Sequence, residues 1–386
     1  MQPWQLNIRH LHLFIRTAQK GVLKAAAEAE HLSQPAATQA MSKLEEQLET
    51  LLFHRQTDGM RLTEHGETLL PRVDAALAHI GSKRITNTQV RAFLAVARSG
   101  SYSQASRDLG LATASLHRAV SDMAAALGAP VFEKSGRGIE LTSGGRQWAR
   151  RLGLAQAELE AGLDDLALAL GRGSGRIVIG AMPLSRAKLI PQAIAASHAA
   201  RNLAQICVVD GSHAELIEPL RDGRIDFMIG AIRDQQIGPD IKQEPLFVDQ
   251  PVIVARAGHP VFRDPVSKRS SIEYLHQYQW CIPRRGTPLR ENWEATFLHA
   301  GVSVPRVHVE CGSVLVMRQV LLDTDCLAVL SLDQVSAELD AGWIKTVCPA
   351  PRSLHRTIAL THRKDWRPTK VQAAFLEQLR ALTENA

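Results

Sequence analysis

An internal repeat restricts this 386-residue chain more than any other feature. Shifted by 79 positions, residues 11–66 align with 90–145 without a gap. Phe14 falls on Phe93, Ala18 on Ala97, Gly21 on Gly100, Ala26 on Ala105 and Leu32 on Leu111. Ala40 falls on Ala119, Ser42 on Ser121, Leu48 on Leu127, Phe53 on Phe132 and Gly59 on Gly138. The phrase FHRQTDGMRLTEHG at 53–66 returns as FEKSGRGIELTSGG at 132–145. Any fold of this chain builds one unit twice.

Each unit reads as three helices and a β-hairpin. In the first, Leu11, Phe14, Ile15 and Ala18 share one helical face that ends at Gly21, a C′ glycine. A second, Ala-rich helix covers about 23–30. Ser33 N-caps a third, with Pro35 in its first turn where no N–H is needed. On that third helix Ala37, Met41, Leu44 and Leu48 are expected to be buried and Gln34, Thr38, Gln39 and Lys43 exposed. Phe53 and Leu62 flank a turn at Gly59, as in a two-stranded wing, and Thr63 caps the next helix. In the second copy Gly136 and Gly138 flank Arg137, a cationic tip suited to phosphate or to the minor groove. Two short helices, the second with small polar residues at its start, make a helix-turn-helix.

Charge separates the copies. Residues 1–82 hold 8 Lys/Arg against 9 Asp/Glu, residues 83–151 hold 11 against 4, and the remainder holds 26 of each. The whole excess of +6 lies in the second segment, as a polyanion-binding module requires. Five scattered cysteines without a C-x-x-C pair read as reduced thiols, and no apolar run has transmembrane length. The start MQPWQLNIRHLHLF lacks the apolar core of a signal peptide, so a cytoplasmic protein is expected.

The sequence resembles the LysR-type transcriptional regulators. The residues that carry the likeness are LSQPAATQAMSKLEEQL at 32–48, FHR at 53–55, LTEHG at 62–66, FEK at 132–134 and LTSGG at 141–145. The duplication departs from the family, whose members usually carry one winged helix-turn-helix. Carried over, the resemblance puts Ser33, Gln34, Thr38 and Gln39 near bases and Arg55 near phosphate. The second copy has Ala112, Thr113, His117, Arg118 and Lys134 at those positions, with Ser115 and Arg137 as further DNA-facing candidates. His117 and Arg118 can donate to guanine or to phosphate. Motif likeness favours the first copy and charge the second. The second is expected to bind DNA, and the first either binds adjacent DNA or serves as a packing module.

After the second copy, Trp148, Leu152, Ala155, Leu159, Leu163, Leu166 and Leu170 recur at near-heptad steps, a seam suited to the helix of a second chain. The alternative is packing within its own domain. GRGSG at 171–175 lacks phosphate-loop spacing and reads as a linker. From 176 strands and helices alternate, including a helix over 184–200, so a two-lobed, periplasmic-binding-protein-like α/β domain is expected. The domain reading is therefore 1–82 first winged unit and short trailing helix, 83–142 second winged unit, 143–172 dimerisation linker helix and hinge, and 173–386 effector domain. Within the last, lobe I spans about 175–254 and 352–386, and lobe II about 255–351.

Strand ends and helix starts between the lobes are where a ligand sits in such a domain. Met182, Pro183 and Ser185 lie in one such loop, Arg284, Arg285, Thr287 and Arg290 in a second, and Ser313 in a third. The last two loops resemble the GbpR-like effector domains, a LysR subgroup associated with sugar-binding-protein regulation. Plain helix capping is the competing reading for Ser185 and Ser313.

No G-x-S-x-G elbow, H-E-x-x-H pair or cofactor loop is present, so neither an enzyme nor a cofactor or metal site is expected. The expectation is a regulator binding double-stranded DNA, controlled by a small-molecule effector such as a sugar or organic acid. It would act as a homodimer or homotetramer without membrane attachment. The rival is a cytoplasmic ligand-binding or interaction protein whose helix-turn-helix copies no longer bind DNA.

Overall fold

The computed structural model describes residues 1–384 apart from 58, 137, 202, 203 and 234–236. Arg137, expected at the second wing tip, lies outside the described residues. The first unit comprises α1 (Ile8–Lys20), α2 (Leu23–Ala29), α3 (Gln34–Leu48), β1 (Phe53–Gln56) and β2 (Gly59–Leu62), with α4 (Glu64–Ile80) trailing. The second repeats it as α5 (Asn87–Ser99), α6 (Tyr102–Leu109), α7 (Thr113–Leu127), β3 (Phe132–Ser135) and β4 (Gly138–Leu141), with α8 (Ser143–Ala169) trailing.

The repeated sequence produces repeated contacts. Phe14 meets Phe53 with ring centroids 5.6 Å apart, and Phe93 meets Phe132 at 5.4 Å. Thr63 Oγ1 accepts from Gly66 N and Thr142 Oγ1 from Gly145 N, so both trailing helices start on the same cap. Gly21 closes α1 at φ 69° and its carbonyl accepts from Met60 N at 2.7 Å, seating the hairpin on the helix end. A Cβ at Gly59 would collide with that same carbonyl oxygen, which requires glycine there.

The seam on α8 does not wait for a second chain. Leu152, Ala155, Leu159 and Leu166 are buried within this chain, against a face of α4 formed by Leu69, Val73, Ala76, Leu77 and Ile80. Trp148, Leu163 and Leu170 are half-buried against the same core. This corrects the reading of 143–172 as a helix whose seam pairs between chains: the trailing helix of the first copy already fills the groove. Burying each aliphatic side chain there contributes about 1.5–3 kcal/mol.

The remainder of the chain forms two five-stranded sheets. The elements run β5 (Arg176–Ala181), α9 (Leu189–Ala199), β6 (Gln205–Asp210), α10 (His213–Arg221), β7 (Phe227–Ala231), β8 (Ile241–Asp249) and β9 (Val252–Arg256). Then come α11 (Val266–Arg269), α12 (Ile272–Leu275), β10 (Gln279–Ile282), α13 (Pro288–His299), β11 (Val307–Glu310), α14 (Val314–Asp323) and β12 (Cys326–Leu330). The chain closes with α15 (Ser336–Asp340), β13 (Ile344–Pro349), β14 (Arg356–Arg363) and α16 (Lys370–Thr383).

Lobe I has strand order β6-β5-β7-β14-β8 and lobe II β11-β10-β12-β9-β13. Parallel pairs β5–β6, β5–β7, β10–β11 and β10–β12 come from the βαβ crossovers, whereas β14 and β9 return antiparallel. Two boundaries differ from the sequence reading. Strand β9 pairs with β12 and β13, so lobe II begins at Val252 instead of 255. The helix expected from 184 begins at Leu189, because Ser185 N and Ala187 N bond back to Met182 O and Leu184 O in successive turns.

Candidate functional site

Recognition-helix residues of both units lie at the protein surface. On α3, Ser33 Oγ accepts from Ala36 N at 3.4 Å, Gln34 and Gln39 are exposed, and Thr38 is half-buried with its hydroxyl donating to Gln34 O at 3.0 Å. Ser33 thus caps the helix with one acceptor and keeps its hydroxyl proton to donate, whereas Thr38 keeps only acceptor capacity for a base. On α7 the cap position is Ala112, without a side-chain bond, which leaves the first N–H groups of the helix unsatisfied by side chains. Ser115, His117 and Arg118 are exposed and Thr113 is half-buried. His117 stacks on Tyr102 of α6, with ring centroids 3.6 Å apart and planes 22° from parallel, which fixes the imidazole's direction. Arg55 on β1 and Lys134 on β3 are exposed at equivalent wing positions.

Between the lobes lies a cavity of about 410 Å³, whose lining includes Pro183, Arg186, Ser313, Arg318, Gln334 and Glu338. The expected residues divide there. Pro183 and Ser313 line it, and Ser313 makes no side-chain cap on α14, so its hydroxyl remains available. Met182 packs instead over Gly230, where a Cβ would meet its terminal methyl. Ser185 is turned inward and is 0% exposed, its hydroxyl within reach of Met182 O at 2.9 Å and Ile229 O at 3.1 Å. Arg290 is 3% exposed, bonded through Nε to Glu294 at 2.6 Å and through Nη1 to Glu310 at 3.1 Å. Both therefore hold loops instead of presenting groups to a ligand. Thr287 caps α13, accepting from Arg290 N. Arg284 and Arg285 are exposed; Arg285 Nε lies 3.6 Å from Glu294, and the Arg284 charge helps hold Glu215 of the opposite lobe low, after that residue's bonds to Ser212.

Sequence reasoning missed several lining groups. Arg186 pairs with Asp210 at 3.0 Å, and Arg318 pairs with Glu338, whose second carboxylate oxygen is buried without a hydrogen-bond partner among the described residues. The segment DQVSAELD around Glu338 reads as an ordinary polar surface helix, and only the tertiary fold turns it inward. Lys188 of lobe I reaches Asp333 of lobe II at 2.8 Å across the cleft mouth. Where the strands cross between lobes, Arg356 Nε and Ser331 Oγ both donate to Asp249, each at 2.7 Å. A polar cleft between two lobes, joined to an N-terminal helix-turn-helix region, is the arrangement of a DNA-binding regulator with an effector-binding domain.

Comparison with known proteins agrees. The model of the LysR substrate binding domain matches residues 170–384, and that of the bacterial regulatory helix-turn-helix protein, lysR family, matches 8–67 and again 88–146. The chain belongs to the LysR-type transcriptional regulators, which are DNA-binding regulators with an effector-binding domain and not enzymes. It is similar to the HTH-type transcriptional regulator GalR of Pseudomonas putida, 28% identical over 394 aligned positions that cover 98% of each chain. To GbpR of Rhizobium radiobacter it is 27% identical over 66% of this chain and 83% of that protein. In fold it resembles ArgP from Mycobacterium tuberculosis (TM-score 0.58, 15% identity, 76% and 96% of the two chains). It also resembles a full-length OxyR variant from Pseudomonas aeruginosa (TM-score 0.55, 21% identity, 76% and 93%). Among the described residues no helix is long and apolar enough to cross a membrane.

Proposed function

We propose that both N-terminal units are winged helix-turn-helix modules and that the second is the principal DNA reader, acting in the cytoplasm. The observation that carries this is the exposed Ser115, His117 and Arg118 at the start of α7, in the segment that holds the chain's whole positive excess. Arg118 reads a base edge and Lys134 holds a phosphate. Gln34 and Gln39, with Arg55, are the corresponding groups in the first unit.

The effector is a small polar molecule, a sugar or an organic acid, held between Ser313, Arg186 and Arg318. Their mixture of hydroxyl and cationic donors beside Asp210 and Glu338 matches hydroxyl or carboxylate groups better than an apolar ligand. Arg284, at the mouth, contributes charge. Assembly as a homodimer or homotetramer belongs to the same reading, but through a surface other than the α8 seam, which α4 fills.

A gel shift with DNA from immediately upstream of the protein's own gene tests it. Arg118→Ala is expected to weaken binding about tenfold and to relax base preference at one position. No binding by the parent would support the rival reading of a ligand-binding protein whose helix-turn-helix units no longer meet DNA, whereas unaltered binding by Arg118→Ala would remove Arg118 as the base reader.

A further inference from the structure

The pairing of α4 with α8 is reciprocal. Under the 79-residue shift Arg72 corresponds to Arg151 and His79 to Glu158. Arg72 Nη1 donates to Glu158 at 3.2 Å, and Arg151 Nε donates to the carbonyl of His79 at 2.9 Å. Residue i of one copy meets residue j of the other, and j meets i in return: the signature of a two-fold, isologous contact, here inside one chain. The buried positions obey the same rule, Val73 matching Leu152, Ala76 matching Ala155 and Ile80 matching Leu159. The helices run antiparallel, since the end of α4 at Gly81 abuts Arg151 while its beginning at Leu69 abuts Gly162. Three further bonds lock the units. Trp4 Nε1 donates to Gln156 while Asn87 donates to Trp4 O, each at 3.1 Å, and Lys83 reaches Glu30 at 2.8 Å.

We propose that one chain presents both units to one duplex as an internal pseudo-dimer and reads a compound site made of two unlike half-sites. The inference rests on the DNA-binding reading above and adds to it that the first unit reads bases in cis with the second. A two-fold pair of helix-turn-helix units matches the dyad of a duplex, which is why symmetric dimers select palindromes. The symmetry is broken at the readers, as it is in the length of the trailing helices. Gln34, Thr38 and Gln39 of α3 stand where α7 has Thr113, His117 and Arg118. Glutamine amides suit the acceptor–donor edge of adenine, and arginine the two acceptors of guanine. The preferred site is therefore non-palindromic, adenine-bearing in one half and guanine-bearing in the other, and the orientation of the bound protein on DNA is fixed.

The test uses the full chain and an upstream duplex footprinted with hydroxyl radicals, comparing the parent with Gln39→Ala/Arg55→Ala and Arg118→Ala/Lys134→Ala. Each variant is expected to lose protection over a different half of the site and about tenfold or more in affinity. Mixed in equal amounts, the two variants should not regain the parental affinity, because neither chain carries both readers. Loss in the second variant with Gln39→Ala/Arg55→Ala unchanged would overturn the internal pair while leaving the proposed regulator intact. Recovery on mixing would place the two readers on separate chains and overturn it as well. Far-ultraviolet circular dichroism identical to the parent's establishes that each variant is folded, as expected for exposed positions.

Discussion

Arg290 and Ser185 illustrate what a sequence says about a residue and what it omits. Ser185 stands in a turn after β5 and Arg290 in the first turn of α13, near the strand ends and helix starts where a cleft ligand is expected, and that much follows from strand and helix order. Which way each side chain turns depends on near neighbours, Glu294 and the carbonyl of Met182, together with Glu310 and the carbonyl of Ile229, which lie on other parts of the chain. Arg290→Ala is accordingly expected to cost about 1–3 kcal/mol of stability, the neighbouring carboxylates being partly exposed and so partly solvated when unpaired. Urea unfolding measures this, and a variant as stable as the parent but defective in effector binding would contradict it.

His213, at the start of α10, supplies a pH dependence. Burial, with the charges of Arg233 and Arg221, pushes its imidazole down to about 4. Between that pH and the ordinary value of 6.5 the unfolded chain takes up a proton that the folded one refuses. Stability is therefore lost as pH falls through this window, by about 1–2 kcal/mol once solvent screening is allowed for, and is unaffected by this group above it. Unfolding at pH 7 and pH 4.5 should differ less in His213→Gln than in the parent; an identical difference would remove His213 as the cause.

At the scale of elements, the three-helix-plus-hairpin units, their caps and most of the α/β strands were legible because their signals are local. Glycine at helix ends, Thr63 and Thr142 at starts, and period-two or period-3.6 apolar spacing all act within a few residues. The partner of the α8 seam was not legible. Spacing identifies a face to be covered and is silent on which helix covers it. The stripe Leu69, Val73, Leu77 and Ile80 on α4 was the available signal, and its length matches only the first half of the seam. The lobe boundary at Val252 escaped for a similar reason, since β8 and β9 read alike and only pairing separates them. Close approach of α4 and α8 is concentrated at Gly162, where a Cβ would lie 2.9 Å from Arg72 Cβ and 3.0 Å from Leu69 Cδ1. Gly162→Leu should destabilise the protein by about 1–3 kcal/mol through overpacking, read as a lowered urea midpoint.

In the whole molecule the paired helices also form the seat of lobe I. Arg72 donates to the carbonyls of Arg367 at 2.9 Å and Pro368 at 3.3 Å, and Asp165 accepts from Lys370 N at the start of α16. Lobe II is joined to lobe I where the strands cross, and there Asp249, Ser331 and Arg356 form a polar knot. The paired helices are thus tied to lobe I through Arg72 and Asp165. Because α4 covers the seam, deletion of residues 1–82 would expose Leu152 and Leu159, so full-length variants are the sound comparison.

Central to this picture of the molecule is that the chain holds DNA through its second winged unit. The most direct measurement is the salt dependence of affinity for the upstream duplex, parent against Lys134→Ala. Log affinity should fall linearly with log salt, with the slope shallower by about one in the variant, as one released phosphate contact requires. Equal slopes for the two proteins would contradict the claim.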